Sequence, residues 1–130
     1  MRLFTRRWLR RGFKVVTLDW DFPADPLFIT ELDCFRNILR FKEVKEVWIR
    51  KSASGNTHVR VVLDRPVGWE YTLFMRAYCC DDAKRIKMDI IRYYSGKGVM
   101  RLWDYKIQID AGHKVIRRQA GDWVLVWVRN

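Results

Sequence analysis

The segment from Phe13 to Phe22 reads FKVVTLDWDF, and its alternation constrains the fold more than any other feature of the chain. In a β-strand, successive side chains point to opposite faces of the sheet. One set, at positions 16, 18, 20 and 22, is entirely apolar, whereas the other set contains Asp19 and Asp21. The pattern predicts a strand with one face in a hydrophobic core and two carboxylates on the other face.

Periodic segments follow this strand in the order helix, strand, strand, helix, strand, strand. Helices are predicted over residues 27–42 and 69–94, and strands over residues 43–51, 57–64, 99–109 and 121–130. The order β-α-β-β-α-β is that of the split βαβ unit. We therefore predict an α+β, ferredoxin-like (RRM-like) antiparallel sheet with two helices on one face, plus a C-terminal strand. In this topology the first strand lies between the third and the fourth.

The chain is long enough for one compact domain, which we place at residues 13–130, after a basic N-terminal arm at residues 1–12. Lys and Arg outnumber Asp and Glu by 26 to 15, which gives a formal charge of +11. Such an excess attracts polyanions, and nucleic acid is the expected partner. The arm supplies four arginines as candidate phosphate ligands: Arg6, Arg7, Arg10 and Arg11.

Cysteine content and hydropathy both favour a cytoplasmic protein without a membrane partner. The three cysteines are odd in number and two of them, Cys79 and Cys80, are adjacent, which favours free thiols over a disulfide framework. No apolar run reaches the length that spans a bilayer. The basic N-terminus lacks the apolar stretch of a secretory signal.

Two further strands extend the polar face of the first. If the apolar positions of the third strand lie in the core, His58 and Arg60 project from the face that carries the two aspartates. If Trp103, Tyr105 and Ile107 lie in the core, the fourth strand projects acidic and basic side chains outward, at positions 104 and 106. The face would then combine four candidate catalytic residues, Asp19, Asp21, His58 and Asp104, with Arg60 and Lys106 as candidate phosphate ligands.

Two carboxylates at positions i and i+2 of a strand can share a hard divalent cation, so we predict Mg²⁺ or Mn²⁺ as a cofactor. Asp104 is the expected third acid on the sheet-face argument, and Asp89 is the alternative. Asp89 also has a structural explanation, because Arg85 and Arg92 lie near it on one helical face.

The motif order resembles that of the archaeo-eukaryotic primase superfamily, in particular the primase-polymerases of archaeal plasmids and viruses. VVTLDWDF is similar to its first motif. KSASGNTHVRVVL is similar to its second motif, a serine-glycine loop with a histidine. The third motif, an acid after a hydrophobic residue, is similar to LWD or to KMDI. The residues that carry the second motif here are Ser52, Ser54, Gly55 and His58.

The resemblance implies two-metal nucleotidyl transfer, with nucleotide triphosphates and single-stranded or primer-template nucleic acid as partners. His58 would contact the nucleotide phosphate. Members of the superfamily usually carry an additional α/β unit before the first motif, whereas about a dozen residues precede it here. We therefore also expect a pared-down or inactive relative, or one that needs a partner.

Two other interpretations stay open. The first is a non-catalytic DNA- or RNA-binding domain with an RRM-like fold, although two acids on a phosphate-binding surface repel the ligand unless a metal neutralises them. The second is a rolling-circle-type endonuclease with a nucleophile from the Tyr93–Tyr94 pair, although the sequence has no HxH pair. The apolar C-terminal strand also suggests a homodimer through edge-to-edge pairing.

Overall fold

The computed structural model describes residues 12–130, with six strands, a short 3₁₀ helix and three α-helices in that part of the chain. The strands are β1 (Phe13–Trp20), β2 (Val44–Lys51), β3 (Thr57–Val67), β4 (Tyr105–Ile109), β5 (Val115–Gln119) and β6 (Val124–Val128). The 3₁₀ helix is Pro26–Glu31, and the α-helices are α1 (Asp33–Leu39), α2 (Trp69–Tyr78) and α3 (Ala83–Tyr94). Within the described residues, none of the helices combines the length and apolarity needed to cross a bilayer.

Four strands form an antiparallel sheet in the order β1-β3-β2-β6, and β4 and β5 form a separate two-stranded sheet. The α+β class is as predicted, but the ferredoxin-like arrangement is wrong. That arrangement needs β1 in the centre and the fourth strand beside it, whereas β1 is an edge strand here. The C-terminal segment, predicted as an additional strand, becomes β6 and pairs with β2 at the other edge.

The connection between α2 and α3, together with the first turn of α3, explains why the predicted fourth strand does not pair with β1. A carboxylate oxygen of Asp81 accepts a hydrogen bond from the backbone N–H of Asp19 at 2.8 Å. The guanidinium of Arg85 donates to the backbone carbonyl of Thr17 at 3.0 Å. These are backbone groups that a neighbouring strand would need for pairing. Side chains therefore occupy this edge, and the predicted fourth strand pairs elsewhere.

The second half of the predicted fourth strand, Tyr105–Ile109, lies in the β4–β5 hairpin, where Tyr105 is opposite Gln119 and Ile109 is opposite Val115. The apolar residues assigned to the core of this strand are exposed: Trp103 by 70%, Tyr105 by 44% and Ile107 by 59%. That assignment is wrong because the hairpin lies outside the main sheet.

The predicted helical region 69–94 is interrupted between α2 and α3. Cys80 adopts a left-handed backbone conformation with φ of 69° and forms a disulfide with Cys34 of α1, so the expectation of three free thiols is wrong. Cys79 is a buried free thiol, and burial raises its pKa to about 12. Asp82 caps α3, since its carboxylate accepts the N–H of Lys84 at 2.9 Å.

The hydrophobic core covers one face of the main sheet. The alternation in β1 and β3 predicts this face correctly: Val16, Leu18, Trp20, Val59, Val61 and Leu63 are all buried. Phe35 and Ile38 of α1, Met75 of α2 and Ile29 of the 3₁₀ helix belong to the same cluster. Burial of each such side chain contributes about 1.5–3 kcal/mol. Residues at the alternate positions of β1 and β3 therefore lie on the opposite face.

Candidate functional site

Three strands place a carboxylate, an imidazole and a guanidinium side by side on the face away from the core. Asp19 of β1 is the register partner of His58 in β3, and His58 is the register partner of Arg50 in β2. We call these three residues the polar row. The expectation from alternation, that Asp19 and His58 share a face, agrees with this register. The expectation of an uncovered face does not hold fully, because His58 is only 5% exposed.

Arg50 connects the polar row to later parts of the chain. Its Nε donates to Nδ1 of His58 at 3.0 Å, and its Nη1 donates to a carboxylate oxygen of Asp104 at 2.9 Å. Its guanidinium also lies 4.6 Å from the ring centroid of Trp123. Sequence reasoning missed Arg50, although its position next to the core residue Ile49 would have placed it on the polar face.

Burial and nearby cations keep His58 neutral. Burial is the main cause that lowers its pKa to about 4, and the charges of Arg50 and Arg85 lower it further. Because Nδ1 accepts a hydrogen bond from Arg50, the neutral ring carries its proton on Nε2. His58 can therefore donate one hydrogen bond without adding a positive charge.

Asp19 has the opposite perturbation. Burial raises the pKa of its carboxyl to about 6, and the charges of Asp81, Asp82 and Asp21 add to that effect. The nearby Arg85 opposes them. A carboxyl in this state gains from any additional cation, since a positive charge favours its ionised form. Perturbed carboxyls of this kind concentrate at functional sites.

Two cavities adjoin Asp19 and His58 of the polar row. The larger one, which we call the cationic cavity, has a volume of about 670 Å³, and the smaller one has about 290 Å³. Asp19, His58 and Trp103 line both cavities. The cationic cavity is lined by five basic side chains, Lys84, Arg85, Arg92, Lys97 and Arg101, and by three acidic ones, Asp19, Asp82 and Asp89. The smaller cavity is lined by Ser52 and Ser54 of the second motif and by Lys106, a predicted phosphate ligand.

The serine-glycine loop forms a tight turn before β3. Ser52 Oγ accepts the backbone N–H of Asn56 at 2.9 Å and lies 3.2 Å from Ser54 Oγ. Gly55 has a positive φ of 93°, which a glycine adopts without strain. The side chain of Asn56 donates to a carboxylate oxygen of Asp21 at 3.1 Å. The loop therefore contacts the second aspartate of the first motif.

Both candidates for a third acid are bonded to arginines. Asp104 forms an ion pair with Arg50 at 2.9 Å. Asp89 is buried and forms ion pairs with Arg76 at 2.8 Å and with Arg92 at 3.6 Å. Among residues 12–130, no three His, Cys, Asp or Glu side chains form a group that could hold a metal ion. The expected set of three clustered carboxylates is therefore not assembled here.

A buried ionic cluster at the edge of β1 was also missed by sequence reasoning. Arg76 Nε lies 2.7 Å from Asp81 and its Nη2 lies 2.8 Å from Asp89. Arg85 pairs with the same Asp81 at 2.9 Å and also donates to the hydroxyl of Thr17. We call Arg76, Asp81, Arg85 and Asp89 the edge cluster. The only available signal was the single helical face of Arg85, Asp89 and Arg92.

The other predicted basic ligands lie elsewhere. Arg60 is stacked on Trp123, with 4.2 Å between its guanidinium carbon and the ring centroid. The four arginines of the N-terminal arm, Arg6, Arg7, Arg10 and Arg11, lie outside the described residues.

No protein-family model, curated protein or solved structure matches this chain.

Proposed function

We propose that the protein binds nucleic acid in the cationic cavity and acts as a replication protein of the primase-polymerase type, with metal-dependent nucleotidyl transfer. One observation carries the proposal: Asp19 and His58 are neighbours in the sheet and both line a cavity that also has five basic side chains in its wall. Phosphate groups are the ligands that such a concentration of Lys and Arg attracts.

In this proposal the basic side chains bind phosphates and His58 orients one of them. Lys97 and Arg101 lie after α3, and Lys84 and Arg92 lie on it, so cations from two segments surround the ligand. His58 donates from Nε2 to a phosphate oxygen, since Arg50 occupies its other ring nitrogen. A neutral donor at this point positions the phosphate close to Asp19.

Asp19 and Asp21 fit the ligand requirement of Mg²⁺ or Mn²⁺ that enters with a nucleotide. Mg²⁺ keeps several waters and is usually held by one or two carboxylates plus substrate phosphates. The two aspartates are spaced i, i+2, and the raised pKa of Asp19, about 6, favours a cation beside it. Asp19 and Asp21 would hold the metal, which would supply alignment of the attacking hydroxyl and charge stabilisation for the leaving pyrophosphate.

A second candidate is non-catalytic nucleic-acid binding at the same cavity. It is favoured by the ion pairs of Asp104 and Asp89, which engage both candidates for the third acid of a metal site. The endonuclease interpretation has no comparable support. Tyr93 is buried and stacked on Trp69 at 4.1 Å, in the wall of a different cavity from the one lined by His58.

The test is incorporation of labelled nucleotides on a single-stranded template with Mg²⁺ or Mn²⁺. We expect the wild type to incorporate label and the Asp19→Ala/Asp21→Ala variant to lose incorporation. The matched control is Asp33→Ala, which removes an exposed carboxylate on α1. If the wild type binds the strand in a salt-dependent, EDTA-insensitive manner without incorporation, the second candidate is correct. Absence of both binding and incorporation refutes the proposal.

Strand binding tests the cavity directly. Affinity for single strands falls with salt by about 0.7 logarithmic units per phosphate contact for each logarithmic unit of salt. The Lys97→Ala/Arg101→Ala variant should therefore lower the salt slope by about 1.4. An unchanged slope would place the strand elsewhere on the molecule.

A further inference from the structure

Trp103 has an exposed ring at the junction of the two cavities. Its side chain is 70% exposed, yet it lines both the cationic cavity and the smaller cavity. Asp19 and His58 are the other two residues that line both. A large aromatic side chain at this position is accessible to any ligand that enters either cavity.

The backbone around Trp103 is held in place although the ring is exposed. Arg50 donates to the carbonyl of Trp103 at 3.4 Å and to the carboxylate of Asp104 at 2.9 Å. Before this point, Met100 donates its N–H to Asp89 at 3.0 Å and its carbonyl accepts from the Thr17 hydroxyl at 2.6 Å. A ligand that stacks on a side chain with a fixed backbone loses less free energy to ordering.

The surroundings of the ring favour a ligand that is both aromatic and anionic. Arg101 lies two residues earlier in the wall of the cationic cavity, and Lys106 lies three residues later in the wall of the smaller one. Tyr105, the nearest exposed aromatic residue along the chain, already has the guanidinium of Arg117 over its ring at 4.3 Å. Trp103 is thus an aromatic surface between the basic side chains of the cationic cavity and Lys106 of the smaller one.

We propose that Trp103 is the stacking platform for a nucleobase whose phosphate lies in the cationic cavity. The inference rests on the proposed function and names the part of the ligand that contacts this residue. Stacking of a base on an aromatic side chain tolerates any sequence, because every base has a π face. The ligand class is therefore a nucleotide unit without sequence preference, either in a single strand or as the free triphosphate.

The experiment measures binding of two fluorescent strands of equal length, oligo-dT and an abasic strand with the same phosphates. We expect Trp103→Ala to weaken oligo-dT binding by about 5- to 150-fold and Trp103→Phe to recover most of the loss. On the abasic strand, Trp103→Ala and wild type should bind equally. The control is Phe74→Ala, which removes an aromatic side chain with 60% exposure on α2.

Equal losses on oligo-dT and the abasic strand, or no loss on either oligo-dT or dTTP, would overturn the inference while the proposed function stands. If the wild type binds neither strand nor nucleotide, both fail. A further arm measures dTTP binding by the same variants. A loss confined to dTTP assigns the platform to the incoming nucleotide, whereas a loss confined to oligo-dT assigns it to the strand. If Trp103→Ala instead dissociates a dimer in sedimentation and leaves both affinities intact, the ring belongs to an interface between copies and the inference is wrong.

Discussion

The edge cluster lies at the edge of β1, whereas the polar row runs from β1 across β3 to β2. The two groups of ionisable residues are built differently. In the edge cluster, side chains of opposite sign are bonded to each other, including Arg85 and Asp89, which also line the cationic cavity. In the polar row, Asp19 and His58 line open cavities, and each has a pKa shifted toward its neutral form. The difference separates charges that stabilise the fold from charges that are available to a ligand.

The edge cluster takes the position that a strand would take in the ferredoxin-like arrangement. Its Asp81 and Arg85 bond backbone groups of β1, and its Asp89 accepts the N–H of Met100. These contacts fix the edge of the sheet and the segment that leads to Trp103. The cluster therefore supports the site without contributing free carboxylates to it.

The largest effect is expected from Asp81→Ala. This change leaves Arg76 buried without one of its two carboxylate partners and removes the acceptor for the Asp19 N–H. Breaking a buried pair in this way costs about 3–5 kcal/mol in the free energy of unfolding, which urea denaturation measures. The control is Asp33→Ala, whose carboxylate is 93% exposed and whose loss should cost less than about 1 kcal/mol. Similar costs for the two variants would contradict the structural role of the cluster.

The next effect concerns the disulfide beside the cluster. Cys80 directly precedes Asp81, and its bond to Cys34 closes a loop with a sequence separation of 46. Reduction should lower the free energy of unfolding by about 2–4 kcal/mol. The Cys34→Ser/Cys80→Ser variant should be equally destabilised and should not respond to the reductant. If the disulfide holds the edge cluster in place, reduction also speeds hydrogen exchange of the Asp19 amide. Unchanged exchange would show that the edge cluster keeps its position without the disulfide.

A smaller, pH-dependent effect is expected from the polar row. The pKa of His58 is about 4 in the folded state and near 6.5 when unfolded. The unfolded chain therefore binds the extra proton first, and this residue lowers stability as the pH falls from 6.5 to 4. His58→Gln should remove about 1–3 kcal/mol of that loss, measured as the difference between unfolding at pH 7 and at pH 4.

Asp19→Asn should change the dependence of the free energy of unfolding on pH in the opposite direction. The folded-state pKa of Asp19 is about 6 against 3.8 in the unfolded chain. Its stabilising contribution is thus present below pH 3.8 and is lost as the pH rises through 6. The variant should therefore gain stability relative to wild type above pH 6, by about 1–2 kcal/mol. If the free energy of unfolding of the His58 and Asp19 variants depended on pH in the same way, burial would not be the main cause of both pKa shifts.

The sequence was sufficient to predict the local pattern of the site, and insufficient to predict the arrangement around it. Alternation has a period of two, so the apolar set of β1 determined which face Asp19 occupies. The same rule applied to β3 and β2 places His58 and Arg50 next to it once the strands pair. The position of the edge cluster beside β1 could not be predicted, because it depends on hydrogen bonds between residues more than 60 positions apart.

The short motifs after α2 were the weakest guide. KMDI was considered as a third motif, yet its Asp89 accepts hydrogen bonds from buried groups. LWD was placed in the strand beside the first, yet its tryptophan is exposed and its aspartate pairs with Arg50. A hydrophobic residue followed by an acid occurs wherever an acid has a buried neighbour, so such a string cannot distinguish a metal ligand from an ion-pair partner.

The smallest effect tests whether Arg50 contributes to the neutral state of His58. The charge of Arg50 is the second cause of the lowered pKa, after burial, and Asp104 acts in the opposite direction. Arg50→Gln should therefore raise the pKa of His58 above 4, whereas Asp104→Asn should lower it. Each shift should be smaller than one pH unit, equivalent to less than about 1.4 kcal/mol. An NMR titration of the ring protons measures both, with the exposed His113 as an internal reference signal. If both variants shift the pKa in the same direction, rearrangement of the site outweighs the charges, and the polar row depends on Arg50 for its shape and not for its electrostatics.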